Sequence, residues 1–146
     1  MMDEAAIAGC DGLFLMMVGA HLSGMPLNGE LTGAGGVLAR ACRTAPDYRL
    51  FVLPGTVPPK PGLVRDPGFS GPGLEVEVWR LPAAAFGHFV ARIPAPLGIG
   101  KVTLEDGSQV PGFLCEAHGV AGAREITAHG GWRAYMATRE AGLAPA

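Results

Sequence analysis

The chain has 146 residues, the size of one domain with one core, and 49% of them are apolar. The mean hydropathy of +0.29 excludes a disordered chain. Only 16% of residues are charged, the net charge is −2, and no basic stripe exists, so nucleic acid is excluded as a partner.

Residues 1–12 read as a flexible N-terminus. Asp3, Glu4 and Asp11 stand there without a basic residue, so this stretch is not expected to serve as a secretory n-region. Residues 13–18, LFLMMV, form an apolar run that reads as a buried strand. The run breaks at Gly19, short of the roughly 20 residues that span a bilayer. No membrane association and a cytoplasmic location are therefore expected. The loop of residues 19–28 follows, GAHLSGMPLN, with Asn28 placed to cap a short helix over residues 29–36. Residues 37–43 and 48–53 read as two strands, or one bent strand, around a Pro46 turn.

Residues 54–72 hold six prolines and four glycines, a composition that predicts one long irregular loop. Residues 73–81 alternate apolar and polar and give the clearest strand, with Leu74, Val76, Val78 and Leu81 on the core side. Pro82 opens a helix whose Phe86, Phe89, Val90 and Ile93 fall at helical spacing. Residues 94–100 predict a second unusual loop. Residues 101–104 and 110–116 predict a hairpin around Asp106-Gly107. Residues 122–127 and 132–140 predict helices, with Trp132 and Tyr135 on one face, and 141–146 a tail. The single domain is placed at residues 13–140. Strands with packed helices predict an α+β domain, closed or semi-closed into a barrel.

The residue inventory narrows the chemistry. Cys10, Cys42 and Cys115 show no paired spacing and read as reduced thiols. No CxxC, HExxH, GxGxxG or P-loop occurs, so neither a metal nor any other cofactor is expected. Ser23, Ser70 and Ser108 are the only serines and Lys60 and Lys101 the only lysines; none sits in an amidase or GxSxG loop.

His21 is the one side chain of its loop that titrates near neutral pH. Gly19, Ala20, Leu22 and Ser23 surround it, and loop N–H groups can hold an anion. Pro96, Leu97 and Gly98 offer a second such loop. Arg43 or Arg49 can pair with a carboxylate, and Glu116 can act as acid or base. Each also has a plain structural reading: a turn histidine, a surface arginine, a strand-end glutamate.

Seven motifs carry a resemblance. GAHLSGMPLN (19–28), TAPDYRL (44–50), PGTVPPKPGL (54–63), EVWRLP (77–82), IPAPLGIGKVTLEDG (93–107), GFLCEA (112–117) and ITAHGGWRAY (126–135) closely resemble the C-terminal domain of allophanate hydrolase. The resemblance implies a gamma-glutamylcyclotransferase-like fold, a small mixed β-barrel with packed helices. It implies decarboxylation of N-carboxycarbamate or a related small anion, with His21 as the catalytic residue. It also implies a free-standing form acting beside a separate amidase in urea or nitrogen metabolism. A non-catalytic partner of an amidase is the alternative. Gamma-glutamylamine cyclotransferase activity is a further one, although Val18-Gly19-Ala20-His21 replaces that family's Tyr-Gly-Ser-Leu loop. The sparse charge predicts an exposed apolar patch and a homodimer.

Overall fold

The computed structural model describes residues 12–142. The expectations for residues 1–11 and 143–146 lie outside the described residues.

The LFLMM run forms β1 (Gly12–Met17), the central strand of a five-stranded sheet. Leu15, Met16 and Met17 are all fully buried, so both faces of β1 are covered. Beside β1 lies β5 (Glu75–Pro82), antiparallel, with Leu15 opposite Trp79. On the far side of β5 lies β2 (Val37–Arg43), bulged between Leu38 and Arg40. β7 (Gln109–Cys115) pairs parallel with β1 at Met16–Gly112 and antiparallel with β6 (Leu97–Thr103). The three strands expected around residues 13–18, 73–81 and 110–116 are thus neighbours.

The edge strands of this sheet, β2 and β6, meet just past their ends. Thr44 bridges Leu104, the Ala45 N–H donates to the Thr103 carbonyl at 3.0 Å, and the Glu105 N–H donates to that of Arg43 at 2.9 Å. This pairing gives the sheet the curl of a barrel joined at one end.

A second sheet of three strands holds β3 (Tyr48–Val52), β4 (Pro61–Arg65) and β8 (Arg124–Glu125). The two strands read around Pro46 are therefore separate and lie in different sheets. β4 corrects the reading of residues 54–72 as one irregular loop. Pro61 is the strand's first residue, and β4 is an edge strand, where proline is tolerated.

Among the described residues there are also four helices: α1 (Asn28–Thr32), α2 (Ala83–Ala91), α3 (Ala117–Val120) and α4 (Trp132–Glu140). Three expectations are corrected here. Leu27, not Asn28, precedes α1 as its cap, because the Asn28 side chain bonds elsewhere. Residues 97–100 belong to β6 rather than to a loop. Residues 122–127 are not a helix: Gly122 takes a φ of 72°, and β8 and a 3-10 turn (Thr127–His129) follow. One hydrophobic cluster joins Leu15, Trp79 and Val102 of the large sheet, Leu50 and Leu63 of the small one, Phe89 of α2, and Trp132 and Tyr135 of α4.

Candidate functional site

β1 delivers the chain into a wound loop. The Leu22 N–H donates to the Gly19 carbonyl at 3.0 Å, Met25 to Leu22 at 2.9 Å, and Leu27 to Ala20 at 2.9 Å. The Asn28 amide donates to the His21 carbonyl at 2.9 Å, which ties the start of α1 back to the loop. A β-carbon at Gly19 would lie 2.3 Å from Cδ of Pro61. The loop can approach β4 only because residue 19 lacks a side chain.

His21 sits where this winding leaves it, its side chain 12% exposed. Its Nε2 is 2.9 Å from Oε1 of Glu30 on α1. An ionised carboxylate only accepts hydrogen bonds, so Nε2 carries a proton and, in the neutral ring, Nδ1 holds the lone pair. Nδ1 has no hydrogen-bond partner among the described residues. The ring meets Phe89 edge-on at 4.9 Å and stacks on Phe113 at 5.8 Å. Burial lowers the His21 pKa below its ordinary value; the Glu30 hydrogen bond and charge oppose this without cancelling it, and the Lys60 charge adds to it.

The ring borders a cavity of about 690 Å³. Gly19, Ala20 and His21 come to it from the first loop, Pro94 from the approach to β6, Leu97 from the start of β6, and Phe113 from β7. α1 contributes Gly29, Glu30, Gly33 and Ala34; α2 and its exit contribute Phe89, Arg92 and Ile93. Lys60 and Pro61 close a further side. Lys60 and Arg92 form no ion pair among the described residues, so two cations line one cavity with the Glu30 carboxylate.

The other residues read from the sequence lie outside this lining. Leu22 is fully buried core. Ser23 donates its N–H and hydroxyl to Oε1 of Glu77 at 2.8 and 3.0 Å. Arg43 donates to the carbonyls of Gly73 at 3.0 Å and Gly130 at 3.4 Å, holding β2 against two turns. Arg49 pairs with Asp66 at 2.7 Å and Glu125 at 3.0 Å, and lies over the Phe69 ring. Pro96 accepts a hydrogen bond from the Glu116 N–H at 2.9 Å and packs against Gly119. Gly98 pairs with Leu114 within the sheet. Glu116 is exposed beside His118, at 3.6 Å.

Glu30, Lys60 and Arg92 escaped the sequence reading. Glu30 is nine residues from His21, and only the wound loop brings them together. Lys60 was hidden in the proline-rich stretch. A sign was available: Lys60 is one of only two lysines and directly precedes the strand that Pro61 begins.

Glu77 also went unread. It lies on β5 between Val76 and Val78 and is 3% exposed. Besides Ser23 it accepts from Trp79 Nε1 at 3.1 Å and from Arg133 Nη1 at 3.2 Å. Arg133 also donates to the Ser23 carbonyl at 2.9 Å and to Glu75 at 2.9 Å. Burial pushes the Glu77 pKa up, but these hydrogen bonds and the Arg133 charge outweigh it and leave it lowered.

Among the described residues, no group of three or more His, Cys, Asp or Glu is placed to hold a metal, and no helix is long and apolar enough to cross a membrane.

The α+β arrangement of two sheets with packed helices is the gamma-glutamylcyclotransferase-like fold. A solved gamma-glutamyl cyclotransferase shares it at a TM-score of 0.54 and 13% identity, over 90% of this chain and 81% of that one. Within that fold, the chain belongs to the allophanate hydrolase C-terminal domain family, which it matches over residues 13–137. It is 42% identical over 125 residues to the urea amidolyase of Saccharomyces cerevisiae, covering 84% of this chain. The chain spans 7% of that relative's length. It superposes on Kluyveromyces lactis allophanate hydrolase with a TM-score of 0.83 and 39% identity, over 88% of this chain and 21% of that one. A uropathogenic E. coli-specific protein, c4763, aligns at 0.78 and 37%, over 86% of this chain and 96% of its own.

Proposed function

We propose that this domain decarboxylates N-carboxycarbamate, or a closely related small dianion, produced by an amidase on another domain or polypeptide. The observation that carries this reading is His21: one nitrogen fixed by Glu30, the other without a partner among the described residues, in a cavity that also holds Lys60 and Arg92. The two cations neutralise the two carboxylates on binding. In the step itself one C–N bond breaks. Its electron pair stays on nitrogen, which takes a proton from Nδ1 of the His21 imidazolium; carbon dioxide leaves, and carbamate remains. His21 then regains a proton from solvent. Family membership supports the reading, as does the similarity to Kluyveromyces lactis allophanate hydrolase.

The test supplies allophanate together with an excess of amidase, so that the second step limits carbon dioxide release. His21→Ala is expected to lower that rate by roughly 100- to 10,000-fold. Because the ring packs on Phe89 and Phe113, a stability loss of about 1 kcal/mol is expected as well. An unchanged rate in a folded variant rejects His21 as the acid. If wild type adds nothing to the spontaneous rate, the amidase-partner reading replaces the enzymatic one.

A further inference from the structure

The cavity is larger than its proposed substrate. N-carboxycarbamate is two carboxylates on one nitrogen, and two cations with one histidine suffice for it. A volume of about 690 Å³ lies within the range of pockets that enclose drug-sized ligands. The surplus wall is apolar, with Met17, Ile93, Leu97 and Phe113 facing the same space as Lys60 and Arg92. Position 29 is an exposed point on the edge of that space. Gly29 lines the cavity, and a β-carbon built on it meets nothing within 4 Å. A small dianion gains nothing from such a wall, whereas an apolar group gains by leaving water.

We infer that the cavity takes a dicarboxylate whose central atom carries an apolar substituent of branched or aromatic size, the carboxylates on Lys60 and Arg92 and the substituent in the space beside Gly29. The inference rests on the anion reading of Lys60 and Arg92 given above. It extends the substrate class from N-carboxycarbamate to its N-substituted analogues.

Binding can be read without turnover, using malonate and benzylmalonate, in which carbon replaces the central nitrogen. Isothermal titration of the full chain is expected to show benzylmalonate binding at least about 10-fold more tightly than malonate, from the apolar area that its ring buries. Gly29→Leu is expected to remove that advantage while leaving malonate affinity within about twofold, since residue 29 carries no charge. Lys60→Ala is expected to weaken both ligands. Equal or weaker binding of benzylmalonate overturns the inference while leaving the anion site standing. An advantage that survives Gly29→Leu also overturns it, because the ring then sits elsewhere. Failure of both ligands to bind wild type overturns the anion site and the inference together.

Discussion

Ser23 gives both of its donors to one oxygen of Glu77, the N–H at 2.8 Å and the hydroxyl at 3.0 Å, across 54 residues of sequence. His21 lies two residues before Ser23, so a buried carboxylate on β5 fixes the loop that carries the site histidine. Arg133 of α4 completes the clasp through Glu77 and the Ser23 carbonyl. Glu77→Ala strands the Ser23 and Trp79 donors and half of the Arg133 pair. The expected cost is about 3 kcal/mol in urea unfolding, the lower end for a broken buried pair because Arg133 is partly exposed. Hydrogen exchange at the Ser23 amide is expected to accelerate. A neutral substitution would show that the clasp holds nothing.

The same carboxylate makes stability depend on pH. Its folded pKa is lowered, so in the acid range the unfolded chain binds its proton more readily. The Glu77 contribution is complete above the ordinary carboxylate pKa of about 4.3 and is lost as pH falls through the folded value. Glu77→Gln lacks this contribution. The stability gap between wild type and Glu77→Gln is therefore expected to be widest near neutral pH and to narrow below about pH 4. A gap that is constant with pH would mean that the glutamate's charge is immaterial.

Much of the fold was legible because its signals are local. The LFLMM run, the alternation in EVEVWRLP and the Asp-Gly turn each specify their own backbone, and all lie in one sheet. What was missed depends on partners distant in sequence. Pro61 looks like a strand breaker until β3 lies beside it. Glu77 looks like the solvent side of an alternating strand until Ser23, Trp79 and Arg133 satisfy it. At the site, His21, Gly19 and Ala20 stood out through the loop's odd composition. Arg43 and Ser23 are polar residues turned to structural bonds, which no local pattern distinguishes from ligand binding.

Two glycines of the cavity wall are expected to respond oppositely to alanine. Gly19→Ala forces a β-carbon against the Pro61 ring, 2.3 Å from Cδ, and overpacking of this kind costs about 1–3 kcal/mol. Gly29→Ala meets nothing and lies inside α1, where alanine is favoured by about 0.5–1 kcal/mol. Thermal unfolding of the pair decides. Equal responses would place the loop farther from β4 than the contact at Pro61 requires.

His21 is expected to titrate below the ordinary histidine value, and its direction of titration separates acid from base. Burial lowers its pKa, and Glu30 is the largest influence working the other way. Glu30→Gln removes that carboxylate's charge, so the ring's pKa is expected to fall further. A dianion in the cavity stabilises the imidazolium, so malonate is expected to raise it. Ring carbon–proton NMR reads both shifts without an assay. Rates follow from the same equilibrium. If His21 is the proton donor, kcat/KM falls as pH rises through the free enzyme's pKa, about tenfold per unit beyond it. The corresponding fall in kcat comes at higher pH, because bound substrate holds the proton on the ring. In Glu30→Gln the kcat/KM limb moves to lower pH together with the NMR titration. If kcat/KM instead rises with pH through that pKa, the neutral ring is the working form and His21 serves as a base. A limb that stays in place while the NMR pKa moves would assign the proton to another group.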